Sequence, residues 1–299
     1  MAIAVHAVTP DFVAEVGDVD LARPLGPDDL AAIRAAFTKY AVLVFPDQAF
    51  TDDSQLDFAR HFGPLETTVF KVRKDLKLRL HENLADVSNL DADDRVLPTN
   101  DRQRLYNLGN RIWHTDSSFK RLPAYCSMLH ARSIPPIGGQ TEFADMRAAY
   151  DALPEATKRR VGGLVAEHSI MTSRAKLGFA DFDETEREAF KPVPQVLVRR
   201  LQDSGRMSLY LASHAGAISG MSRPEAEALL KQLIEHATQR QFVYSHRWRV
   251  KDLVIWDDRC TMHRGMEFDD QRWARDMRRA TVSDVAPTCE QMGLAVAAE

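Results

Sequence analysis

Hydrophobic positions recur along the chain with two spacings, one near 3.6 residues and one of two, and their order predicts a β core with helices attached. Residues 2–21 alternate loosely (Ile3, Val5, then Phe12, Val13, Val16, Val19, Leu21) and predict short strands around a turn. Gly26-Pro27-Asp28-Asp29 opens a helix whose apolar stripe is Leu30, Ile33, Ala36, Phe37 and Tyr40. The run Ala41-Val42-Leu43-Val44-Phe45, closed by Pro46, predicts a strand buried on both faces. Thr51-Asp52-Asp53-Ser54 caps a second helix with Leu56, Phe58, Ala59 and Phe62 inward, and Gly63-Pro64 stops it.

Between Leu65 and Asn107 the periodicity fades, and only Leu84 to Leu90 reads as a strand. Beyond it, Ala124 to Ala131 and Gln140 to Ala144 are strands separated by Pro135-Pro136 and Gly138-Gly139. A helical insert interrupted by Pro154 is expected from Met146 to about Arg160, then a strand from Val161 to Ile170. Val193 to Arg199 and Met207 to Ala212 flank Asp203-Ser204-Gly205 as a hairpin. Ser222-Arg223-Pro224-Glu225 starts a helix that runs to about Ala237. Phe242 to Trp248, Leu253 to Asp257, Cys260 to His263 and Arg278 to Val282 are the remaining strands. The pattern predicts a mainly β chain with helices (α+β): a sandwich or jelly roll with N-terminal and inserted helices packed on it. One domain over residues 1–299 is expected, with residues 65–108 as a lid or active-site region.

Composition narrows the function. With 44% hydrophobic and 27% charged residues the chain reads as an ordinary soluble globular protein. A net charge of −4 gives no basic footprint for nucleic acid, so none is expected as a partner. No apolar stretch reaches the length of a membrane span, and the N-terminus lacks the basic and apolar segments of a secretion signal. The three cysteines, Cys126, Cys260 and Cys289, are odd in number and far apart; reduced thiols in the cytoplasm are the simple reading. Oligomeric state stays open, and a homo-oligomer is compatible with the chain. One local bias stands out. Lys71, Arg73, Lys74, Lys77 and Arg79 face a single acid, Asp75. A solvated face is the preferred reading, and a lid that draws in an anionic substrate is the alternative.

Candidate chemistry centres on Trp113-His114-Thr115-Asp116, the chain's only His-x-Asp. In an extended segment these two side chains point to the same side and can offer one nitrogen and one oxygen to one metal ion. A third ligand must come from elsewhere. His263 stands out among the other histidines, because it ends Asp252 to His263, where a buried strand turns and returns. Two histidines and one carboxylate with open positions point to non-heme Fe(II) oxygenases. Downstream, Arg275 and Arg279 would share a face of an extended strand while Arg278 points away, and two inward guanidiniums beside a metal call for anions to meet them.

These motifs, with Gly138 to Leu153, His236-Ala237-Thr238-Gln239 and Trp256-Asp257-Asp258-Arg259, resemble the TauD/TfdA family of Fe(II)/2-oxoglutarate-dependent dioxygenases over nearly the whole chain. The likeness is greatest to the family's 2,4-dichlorophenoxyacetate branch. The resemblance implies a double-stranded β-helix and iron held by His114, Asp116 and His263. It implies that Thr141 and Arg275 bind the distal carboxylate of 2-oxoglutarate, with O2 as the further co-substrate. The substrate would be a small anionic carboxylate, most simply an aryloxyacetate such as 2,4-dichlorophenoxyacetate, cleaved at the ether to a phenol and glyoxylate. Its acid group would meet Arg279, with Asn110, Lys71, Ser117 and His214 as further pocket positions. Arg275 falls one residue later than the family spacing, and the Arg-Asp-Met-Arg-Arg-Ala-Thr-Val pattern assigns the role to it rather than to Arg272. Trp113 and Trp256 are expected to pack beside the metal layer. Three rivals remain: a sulfonate or alkyl-sulfate dioxygenase of the same family, a zinc hydrolase using the same three ligands, and a silent jelly-roll binding module.

Overall fold

The computed structural model describes residues 3–72 and 78–295; Arg73, Lys74, Asp75 and Lys77 of the basic run lie outside the described residues. Helices and strands are mixed, and the strands gather into open sheets. The largest sheet runs in the order Ala4–Ala7, Val13–Gly17, Val42–Phe45, Leu253–Asp257, Ala124–Ser133, Asp276–Ser283, Leu84–Asp86. Every neighbouring pair is antiparallel except Val13–Gly17 with Val42–Phe45. A smaller sheet of Val243–His246, Thr141–Asp145 and Thr261–Gly265 lies over it. A third sheet pairs Ala215–Ile218, Val165–His168 and Val193–Val196.

Strand alternation explains this layering. Leu43, Phe45, Cys126, Met128, Leu253, Ile255, Ala280 and Val282 face one way, onto the helices Pro27–Tyr40 and Asp52–Arg60. Val42, Val44, Leu129, Ala131, Val254, Trp256 and Met277 face the other way, where Phe143 of the smaller sheet joins them. Both helices start as their sequence signals require: Pro27 occupies the first turn of one, and Thr51 and Ser54 form a reciprocal capping box on the other. The second face of the smaller sheet is closed by helix Arg223–Ala237, through Leu229, Leu230 and Leu233 against Ala144 and Met262. Among the described residues no helix is long and apolar enough to cross a membrane.

The structure departs from the sequence pattern in the middle of the chain. The insert after Met146 is interrupted at Pro154 as expected, giving two helices, Met146–Asp151 and Glu155–Val161, with Pro154, which cannot donate an N–H, as the N-cap of the second. The strand expected over Val161 to Ile170 shrinks to Val165–His168, since Val161 ends a helix and Ser169 caps the next, Ile170–Ala175. The expected hairpin is split. Val198–Arg200 does pair with Met207–Leu209, but Val193–Val196 pairs with Val165–His168 in another sheet. Helices Arg102–Asn107, Ile170–Ala175 and Glu184–Ala189 are six residues each, too short to show an apolar stripe. Their signal is the cap: Asp101, Ser169 and Asp183 each accept from backbone N–H groups of the first turn.

Candidate metal centre

His114 and His263 meet through their backbones. His114 N donates to His263 O at 3.0 Å and His263 N donates to His114 O at 2.8 Å, an isolated antiparallel bridge that sets the two imidazoles side by side, ring centroids 4.2 Å apart. Asp116, two residues on, then faces both: His114 Nε2 lies 3.8 Å from its Oδ1, and His263 Nε2 lies 3.7 Å from its Oδ2. One ligand atom from each of the three residues lies within 4.8 Å of the others, and all three are buried. The separation of 147 residues between Asp116 and His263 is closed by a single backbone bridge.

The donor set suits a divalent metal. His114 Nδ1 lies 2.8 Å from Ile112 O, a partner that can only accept, so the proton sits on Nδ1 and Nε2 offers its lone pair to the cluster. Ser127 Oγ donates to Asp116 Oδ2 at 2.8 Å, and Arg279 Nη1 donates to Oδ1. Burial opposes the charge of Asp116, but Arg279, the two imidazoles and the Ser127 hydroxyl together hold its carboxyl below the ordinary value. Burial pushes both histidines down, with His114 adding to the effect on His263, so each imidazole is neutral and able to coordinate. Behind them, Asp258 is driven well above the carboxylate range by burial and by the charge on Asp116, while its Oδ1 accepts from Asp116 N and Trp256 Nε1. Trp256 is fully buried and packs 4.7 Å from the His263 ring; Trp113 lies farther out under the Arg264 guanidinium.

Two cavities adjoin this centre and share Val87, Asn107 and Asn110. The first, about 720 Å³ and open to solvent, is lined by His114, Asp116, Arg279, Ser117, His214 and Asn110 among others. The second, about 560 Å³, holds Arg275 beside Asn89 and Gly265. Arg275 is buried and pushed down to about 10 by loss of solvent alone; its Nε has no described partner and Nη1 donates to Val87 O. Arg272, by contrast, is exposed over the Trp273 ring. Arg278 points to the helix side, paired with Asp52 and Asp276, as strand alternation requires. Thr141 opposes Gly265, which lines the second cavity, and its Oγ1 accepts from Trp248 Nε1 at 3.0 Å, so its hydroxyl hydrogen is available to an acceptor.

One expected pocket residue is used differently. Lys71 does not line either cavity: its side chain is half exposed and paired with Glu82 at 2.6 Å. Ser117 reaches the first cavity, but its hydroxyl donates to Glu66 Oε2, which Lys120 Nζ also meets. His214 is buried, edge-on to His114 at 6.1 Å, and hydrogen-bonded to Ser173 Oγ. Glu66, Tyr106 and Arg174, not expected from the sequence, also line the first cavity. Arg174 and Tyr106 lie on helices of six residues, too short to carry an apolar period.

Comparison with known proteins agrees with this geometry. The family model described as "Taurine catabolism dioxygenase TauD, TfdA family" matches residues 4–281. An alpha-ketoglutarate-dependent 2,4-dichlorophenoxyacetate dioxygenase of Cupriavidus pinatubonensis is 44% identical over 286 residues, 96% of this chain and 99% of that protein. An (S)-phenoxypropionate/alpha-ketoglutarate-dioxygenase of Sphingobium herbicidovorans is 41% identical, covering 79% of this chain and 80% of its own. The crystal structure of AAD-2 in complex with Mn(II) and N-oxalylglycine superposes with a TM-score of 0.88 at 49% identity, covering 96% of this chain and 99% of that one.

Proposed function

The chain belongs to the TauD/TfdA dioxygenase family, and from that premise we propose that it is an Fe(II)- and 2-oxoglutarate-dependent dioxygenase of aryloxyalkanoic acids. The observation that carries the reading is the buried His114–Asp116–His263 cluster beside two arginines, Arg275 and Arg279, placed in adjoining cavities. His114, Asp116 and His263 would hold the iron. When bound, iron with 2-oxoglutarate and O2 supplies oxidative decarboxylation to succinate and CO2, coupled to insertion of one oxygen atom into a substrate C–H bond.

The chain's own residues bind, orient and shield. Arg275 takes the distal carboxylate of 2-oxoglutarate, a desolvated cation with an unused Nε, and the Thr141 hydroxyl donates to the same carboxylate. The first cavity receives the substrate, with the carboxylate directed at Arg279 and the aryl ring toward Phe119, Val69 and Ile170. Oriented so, the carbon between ether oxygen and carboxylate is hydroxylated, and the hemiacetal ArO–CH(OH)–COO⁻ collapses to a phenol and glyoxylate. That collapse needs no protein base. Positioning is therefore the main task left to the side chains.

The strands that frame the cluster are read here as a double-stranded β-helix, supported by the smaller sheet lying over the large one and by the likeness to the Mn(II)-bound structure. We read residues 1–299 as one domain, with described residues of 65–108 forming one wall of the substrate cavity, Glu66, Thr68, Ala85 and Tyr106 among them. A cytoplasmic location accords with three buried, unpaired cysteines. The reading is tested by measuring succinate formed from 2-oxoglutarate under air with 2,4-dichlorophenoxyacetate, taurine and an alkyl sulfate in turn. Aryloxyacetate-dependent succinate with equimolar phenol is expected. Succinate driven by taurine or the alkyl sulfate instead would transfer the protein to the sulfonate or sulfate-ester branch.

A further inference from the structure

Among the charged groups lining the substrate cavity, Arg174 has no countercharge. No carboxylate among the described residues lies within ion-pair distance of it, although the side chain is 4% exposed. Its Nη1 donates to the Ser173 hydroxyl, and its Nε is buried with no partner. Arg279, the other guanidinium of the cavity, is committed to Asp116. A buried arginine without an acid is unfavourable unless an anion reaches it.

The site is built to hold this guanidinium in one plane. One face stacks on the Tyr106 ring, 4.4 Å from its centroid. The Gly109 backbone lies against it so closely that a Cβ at Gly109 would overlap Cζ and Nη1 of Arg174. Glycine at 109 is therefore a requirement of the arginine's position, because the backbone there is not in the left-handed region. The Ser173 hydroxyl that receives Arg174 is also the partner of His214, so three elements converge on the fork.

We infer that Arg174, clamped between Tyr106 and Gly109, is a substrate-binding residue that takes the carboxylate of the aryloxyalkanoic acid together with Arg279, and that its uncompensated charge sets the preference for an anionic substrate. The inference rests on the aryloxy-acid reading above. Arg279 divides its charge between the carboxylate and Asp116. Arg174 makes the cavity selective for the acid.

The test uses the full chain loaded with Mn(II) and N-oxalylglycine, measuring dissociation constants of phenoxyacetate and of the neutral 2-phenoxyethanol by calorimetry. In Arg174→Met the constant for phenoxyacetate should rise roughly 10- to 100-fold, as for loss of a charge-assisted hydrogen bond. Those for 2-phenoxyethanol and for N-oxalylglycine should stay within about twofold of wild type. Gly109→Ala, which leaves Arg174 in place but pushes its fork aside, should reproduce the selective loss. An unchanged phenoxyacetate constant in both variants, or equal weakening of acid and alcohol, would overturn the inference. Wild-type protein that binds N-oxalylglycine but not phenoxyacetate would remove the aryloxy-acid reading itself, and this assignment with it.

Discussion

A carboxylate that lends an oxygen to a metal needs its remaining contacts fixed, and around Asp116 they come from Ser127 and Arg279, both on inner positions of the large sheet. Removing one such support usually lowers metal affinity by about 10- to 100-fold. Ser127→Ala should do so, read as the Mn(II) dissociation constant, with the fold intact by circular dichroism; unchanged affinity would deny Ser127 that role. Arg275→Met should raise KM for 2-oxoglutarate by a similar factor and leave substrate affinity near wild type. At this scale the sequence was informative where one residue type has one use. The clustering of His114, Asp116 and His263 could be read from spacing and resemblance. Lys71 could not, because its ion pair with Glu82 depends on how the chain folds back between them. Arg174 was equally hidden: in sequence it is one of many arginines, and only its missing countercharge distinguishes it.

At the scale of elements, the centre depends on where strands meet. The bridge between His114 and His263 joins a loop after Leu108–Arg111 to the returning strand Thr261–Gly265, and that pairing is fixed by the register of Thr261–Gly265 on Thr141–Asp145. Asp145, at the end of that register, caps helix Met146–Asp151 and pairs with the fully buried Arg147, whose guanidinium also donates to Lys39 O and Asp11 O. Breaking this pair strands Asp145 without its cation, so Arg147→Met should destabilise the protein by about 3–5 kcal/mol in urea denaturation. A loss under 1 kcal/mol would show that the contact is dispensable. Long periodic elements, such as Pro27–Tyr40 and Arg223–Ala237, were readable because a stripe of several residues outweighs local noise. The six-residue helices were not, since one and a half turns carry no period; Asp183 and Glu186 of a capping box were their best available signal.

For the whole molecule, burial decides the response to acid. Burial, with Lys176 adding, pushes His168 down to about 3; burial, with Arg132 and Arg278 adding, pushes His130 down to about 4. The unfolded chain protonates these groups below their ordinary 6.5, while the folded chain resists until pH 4 and 3. Proton uptake therefore favours unfolding in that interval. Stability should be full above pH 6.5 and fall toward pH 4 by about 1.4 kcal/mol per pH unit for each histidine. Urea midpoints at pH 7 and pH 4.5 check this, and His168→Gln should make the decline shallower. The order of strands was not legible from the sequence. Alternation gives each strand its buried face but not its neighbour, which is why a hairpin was expected where Val193–Val196 joins a different sheet.

Two imidazoles and one carboxylate, brought together by a backbone bridge, would hold Fe(II), and Arg275 would take the distal carboxylate of 2-oxoglutarate. The direct measurement is the visible difference spectrum on adding 2-oxoglutarate to the Fe(II)-loaded protein without oxygen. A charge-transfer band should appear in the wild type, be lost in His263→Ala, and require more 2-oxoglutarate to saturate in Arg275→Met. A wild-type protein that binds Fe(II) and shows no band, or a His263→Ala protein that shows the same one, would contradict it.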